Sequence, residues 1–155
     1  MTDREDRCDS AVGDASVDSD APHESADPGA IRSVAVHVED VVTALEARAR
    51  GGRETALRLT PPFSGRMRAR IHVVGSAATT DPDAITLPPA RFVDEVPPYP
   101  SVDETEDELR ARGAYTREKH RARHAAAVDD WRAAVRDRIV DSLPLQAGED
   151  PHEVE

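Results

Sequence analysis

Thr55-Ala-Leu-Arg-Leu-Thr60 and Met67-Arg-Ala-Arg-Ile-His-Val73 are the two runs on which the fold turns. Each alternates apolar and polar residues, the period of a strand with one face buried, and Pro61-Pro-Phe-Ser-Gly65 between them has the length and composition of a hairpin loop. Alternation assigns the faces. Leu57, Leu59, Met67, Ala69, Ile71 and Val73 go to one side, while Arg58, Arg66, Arg68, Arg70 and His72 go to the other.

Upstream, Ile31-Arg-Ser-Val-Ala-Val-His-Val38 alternates at Val34, Val36 and Val38 and reads as a strand over most of its length. Glu39-Asp40 then opens a helix that sets Val41, Val42, Leu45 and Ala49 on one face, and Gly51-Gly52 supplies its left-handed stop. Downstream, residues 75–101 hold six of the twelve prolines, a short strand candidate at Ala84 to Leu87 and a helical turn around Ala90 to Glu95. Pro97-Pro-Tyr-Pro100 reads as extended polyproline, a stiff connector rather than a ligand for a proline-binding groove. Ser101-Val-Asp-Glu104 has capping-box form and starts a short acidic helix ending near Gly113. Thr116 caps a longer helix, expected to reach about Leu143 before Pro144, with His124, Val128, Trp131, Val135 and Ile139 as its packing stripe. The expected fold is α+β: a small mixed or antiparallel sheet (β-α-β-hairpin) packed by two C-terminal helices.

Charge divides the chain in the same places. Residues 1–30 have a net charge of −7 and residues 144–155 one of −4, whereas residues 31–143 carry eighteen charges of each sign. A segment with so few large apolar side chains cannot offset the roughly 1–2 kcal/mol per residue that ordering a backbone costs, so both ends read as disordered acidic tails around a single 31–143 domain. Residues 1–30 are accordingly expected to be dispensable for folding. No apolar run of signal-peptide length precedes Ile31, which leads to an expected cytoplasmic location.

The residues for most chemistries are missing or wrongly spaced. Cys8 is the single cysteine and lies in a tail, so neither an intrachain disulfide nor a cysteine zinc site can form. His120 and His124 stand one helical turn apart, the spacing for a metal pair, but Arg121 occupies the place a metalloprotease would give to glutamate, and Arg121 and Arg123 repel a dication; packing accounts for the histidines better. Ser64 has glycine on one side only, and Gly51-Gly52 precedes a strand instead of opening a helix with Gly-Lys-Ser/Thr. Dense carboxylate pairs such as Asp103-Glu104 and Asp129-Asp130 belong to solvated faces. No catalytic residue and no cofactor is assigned.

The arginine side of the hairpin stands above this background, because residues 48–72 carry seven arginines and one glutamate. An unpaired buried guanidinium costs several kcal/mol, so partial pairing with the acids of residues 94–108 is expected, the remainder offering forked donors to an acidic protein partner. Nucleic acid is the first alternative, disfavoured by a chain with only five aromatics for stacking, and a small enzyme with an unrecognised site is the second. A composition 33% charged leaves no membrane-spanning stretch, and the oligomeric state is not set by the sequence.

Thr60-Pro-Pro-Phe-Ser-Gly-Arg-Met-Arg-Ala-Arg70, Pro97-Pro-Tyr-Pro100 with the acidic run Asp103 to Leu109, and the Tyr115 to Trp131 helix together resemble a family of small uncharacterised haloarchaeal proteins, over about residues 31–143. The resemblance implies no activity and lends no functional residue. Nineteen arginines against one lysine, with 31 acids against 20 bases, fit the salt-rich host it implies; GC-rich coding is the rival explanation for the arginines.

Overall fold

The computed structural model describes residues 25–75, 81–146 and 151–154. Thr55–Leu59 forms β2, and its alternation gives way to burial at Thr55, Ala56, Leu57 and Leu59 alike. The reason is its central place: β2 runs antiparallel between β4 (Arg70–Val73) and β5 (Ile85–Leu87), with Leu57 opposite both Ile71 and Leu87. The Thr55 hydroxyl donates to the Ala44 carbonyl at 2.8 Å, which ties the strand to α1 (Val38–Ala49). That helix has Glu39 and Asp40 in its first turn, buries Val41, Val42 and Leu45, and is followed by Gly51 at φ 68°, while Ala49 faces solvent.

The second run does not form one strand. It breaks at Ala69, so that Arg66–Arg68, β3, pairs in parallel with β1 (Ser33–Ala35), and only Arg70–Val73 joins β2. Ala69 is fully buried and its N–H donates to the Ala35 carbonyl at 3.1 Å, completing the parallel pairing before the chain crosses to the other sheet. The break corrects two expectations. Arg66 and Arg68 no longer share a face with Arg70 by alternation, and Ile71, on the edge strand β4, is 38% exposed although it belongs to the apolar set.

Ser101 caps α2 (Val102–Ala111) with both halves of the capping box formed, and Gly113 follows at φ 61°. Thr116 caps α3 (Arg117–Arg136), whose Val128, Trp131 and Val135 enter the core. The helix ends well before Leu143: the Val140 N–H donates to the Phe92 carbonyl and the Asp94 N–H to the Arg138 carbonyl, so cross-chain backbone bonds replace the last expected turns. Of the two C-terminal helices, α3 covers the core, while α2 leans on α3 and buries Thr105 alone. The architecture is α+β.

Described segments lie on both sides of residues 31–143. Leu143–Gln146 (β6) and Pro151–Val154 (β7) pair as an antiparallel hairpin lying beside β1, where the sequence suggested that the fold ends at Leu143. At the other end Ser25 exchanges two backbone hydrogen bonds with Phe63, at 2.6 and 2.8 Å, and Ala30 packs on the core. The part of the expected N-terminal tail that precedes Ser25 lies outside the described residues. A protein lacking residues 1–30 should unfold on the order of 5 °C below one lacking residues 1–24, through loss of the Ser25–Phe63 backbone bonds and of the Ala30 packing, as scanning calorimetry would show.

Side chains on α3 bind the layers together. Trp131 is 4% exposed, its Nε1–H donates to the Pro97 carbonyl at 2.8 Å, and Tyr99 meets it edge-on at 5.1 Å, so the proline-rich stretch straps across the helix. Arg132 grips Glu46 with two hydrogen bonds at 2.8 and 2.9 Å, and Arg136 grips Glu39 in the same forked way. Trp131→Ala should cost about 3–5 kcal/mol in denaturant unfolding, and the native protein should emit blue-shifted from free tryptophan. The Arg132 fork holds the Glu46 carboxyl below the usual carboxylate range. A lowered folded value contributes stability that is present above the unfolded pKa, about 4.3, and is lost as pH falls through the folded one. Glu46→Gln should therefore cost about 1–2 kcal/mol at neutral pH and flatten the acid limb of the stability curve below about pH 4.

Candidate functional site

The break at Ala69 reshapes the arginine face into two adjoining hollows. Arg58, Arg68, Arg70 and His72 line one of about 190 Å³ together with Met67 and Ile71. Arg66 lies across Met67 in the other, of about 270 Å³, over β1. Arg58 and Arg70 are direct partners in the register of β2 and β4, as are Ala56 and His72, which explains why these three polar residues meet although Arg66 and Arg68 follow a different sheet.

The contacts of the five residues differ. Arg58 is half-buried; its Nη1 approaches His72 Nε2 at 3.4 Å and its Nη2 donates to the Asp81 carbonyl at 2.9 Å. Arg68 Nη2 contacts His37 Nε2. Arg66 and Arg70 are exposed and make no side-chain hydrogen bond or ion pair among the described residues. The expected pairing of Arg66, Arg68 and Arg70 with the acids of residues 94–108 does not form there. Glu106 pairs with Arg110 and Glu108 with Arg112, one turn on along α2, while Glu108 also reaches Arg123 of α3 at 3.0 Å. Helical spacing thus satisfies these acids locally, on a helix apart from the sheet.

Aromatic side chains are absent from this face among the described residues. Phe63 and Phe92 are buried, Tyr99 sits against Trp131, and Tyr115 lies on the turn before α3 with the Arg110 guanidinium 4.6 Å from its ring centre. The Ser64 hydroxyl, at the rim, donates to the Arg66 carbonyl at 2.8 Å and has no imidazole beside it among the described residues.

His120 and His124 converge on α2 rather than on open space. His120 Nε2 lies 3.1 Å from both the Thr105 hydroxyl and the Val102 carbonyl, and His124 Nδ1 lies 3.5 Å from the same hydroxyl. No group of three or more His, Cys, Asp or Glu side chains that could hold a metal ion occurs among the described residues. The pair also borders a cavity of about 550 Å³ along α3, where Arg117 and Arg121 join it. Sequence reading passes over that cavity, although Arg117, His120, Arg121 and His124 recur at helical spacing; it weighs Arg121 only as an obstacle to a metal and Arg117 not at all.

No helix among the described residues is long and apolar enough to cross a membrane. No curated protein and no solved structure matches the chain. A family model described as Domain of unknown function matches residues 21–155, running past both ends of the 31–143 segment that carries the resemblance and taking in the β6–β7 hairpin. The chain belongs to that family, Domain of unknown function (DUF8009).

Proposed function

We propose that the protein is a non-enzymatic, cytoplasmic interaction domain that docks an acidic segment of a partner protein on Arg58, Arg66, Arg68, Arg70 and His72. One observation carries the reading. Seven arginines elsewhere, among them Arg48, Arg110 and Arg123, find carboxylates within 4.0 Å, whereas Arg66 and Arg70, like Arg117 and Arg121 on α3, find none among the described residues. Exposed guanidinium groups on short strands keep their forked donors directed outward, and a run of carboxylates is the protein chemistry that matches them.

Supporting this, β4 is an edge strand beside the hollow, so an extended acidic peptide has a straight wall to lie along. A protein partner is favoured over nucleic acid because, among the described residues, the face carries no phenylalanine, tyrosine or tryptophan for a base to stack on. The acidic, arginine-rich composition fits a haloarchaeal host, in whose salt exposed ion pairs are weak and several must act together.

The test is binding of a synthetic Glu- and Asp-rich decapeptide, followed by anisotropy at several salt concentrations. Replacing Arg66, Arg68 and Arg70 together with Gln should weaken binding at least about tenfold, with the unfolding free energy from denaturant titration unchanged within about 0.5 kcal/mol as for surface substitutions. A triple variant that binds the peptide as before, or that unfolds at low denaturant, makes the face structural. A duplex oligonucleotide that binds more tightly than the peptide favours the nucleic-acid reading instead.

A further inference from the structure

We infer that the cavity along α3 is a binding site for a small molecule bearing a phosphate or diphosphate group, separate from the arginine face of the sheet. Its volume, about 550 Å³, is in the range of sites that hold small organic ligands. Arg117 and Arg121 of α3 and Arg50 beyond α1 bring three guanidinium groups to it, Arg132 also lines it, and Asp129 is the one carboxylate on its wall among the described residues. Ala125 and Val128 give it a small apolar floor.

The four arginines are not equivalent. Arg132 is held by Glu46 and by Asp129 at 2.8 Å, and Arg50 donates from Nε to the Tyr99 hydroxyl at 3.1 Å while its Nη1 lies 3.4 Å from Glu46. Both are fixed in place by the fold. Arg117 and Arg121 have no carboxylate within 4.0 Å among the described residues. They also stand where local electrostatics opposes them. Arg117 is the first residue of α3, at the positive end of the helix dipole, and Arg121 repels it from one turn away. A bound anion would reverse both terms at once, accepting from the two forks and lying near the helix N-terminus.

The histidines complete the wall. Their contacts to Thr105 and Val102 use His120 Nε2 and His124 Nδ1, which leaves His120 Nδ1 and His124 Nε2 without a hydrogen bond among the described residues. Several forked guanidinium donors around one cavity suit a tetrahedral, multiply charged oxyanion better than a single carboxylate, and the apolar floor gives the organic portion a surface to cover.

Calorimetric titration at low ionic strength with inorganic phosphate, pyrophosphate and glycerol phosphate tests the inference, with citrate as a polycarboxylate comparison. Titration of the full-length protein beside the Arg66, Arg68 and Arg70 to Gln variant separates this cavity from the sheet face. Saturable binding should appear for pyrophosphate and glycerol phosphate, with His120 and His124 ring protons shifting in the NMR spectrum. Adding Arg117→Gln and Arg121→Gln should weaken it at least about tenfold, with Trp131 emission unchanged to show that the fold is intact. No saturable binding by any phosphate, undiminished binding in the double variant, or citrate binding as tightly as pyrophosphate each overturns the assignment.

Discussion

Burial of β2 on both faces is the constraint from which the rest of the arrangement follows. Leu57 and Leu59 pack into the common core with Val41, Leu45 and Val135, while Ala56 on the reverse face is also closed off. A strand in that position must be hydrogen-bonded along both edges, because an unpaired buried amide costs on the order of 1–3 kcal/mol. β4 and β5 supply those bonds. That requirement draws Arg70–Val73 to β2 and leaves Arg66–Arg68 to β1, and the cationic side chains fall where backbone accounting sends them.

The helical half of the molecule was legible in the sequence because its signals are local. The capping box at Ser101, the Thr116 cap, the glycine stops at Gly51 and Gly113, and the Val128, Trp131, Val135 stripe each depend on residues within a few turns. The sheet was only partly legible. Alternation found the residues of β2, β3 and β4, but a period of two runs straight through Ala69 and carries no sign that the pairing partner changes there. The end of α3 was misjudged for a related reason: Phe92 and Asp94, far away in sequence, compete for the backbone of residues 138–140.

The candidate sites divide in the same way. Alternation brought Arg58, Arg70 and His72 together correctly since they share one sheet, and it placed Arg66 and Arg68 beside them by an argument the fold does not obey, although the shared hollows return them to the neighbourhood. Pairing was misread because acidic composition was treated as available charge, whereas one-turn spacing had already committed Glu106 and Glu108 to arginines of their own helix. The α3 cavity needed Arg50, from the far end of α1, and no pattern in the sequence announces that a residue so distant shares a wall with His124.

Ala69 has one more consequence. Its backbone is the short joint between a parallel pair and an antiparallel sheet, and Arg66 and Arg70 stand on opposite sides of it. A ligand that grips both arginines therefore works as a staple across two separately hydrogen-bonded pieces. By linkage, occupancy then resists any motion that shears β1 and β3 away from β2 and β4, and recognition and mechanical cohesion become the same free energy.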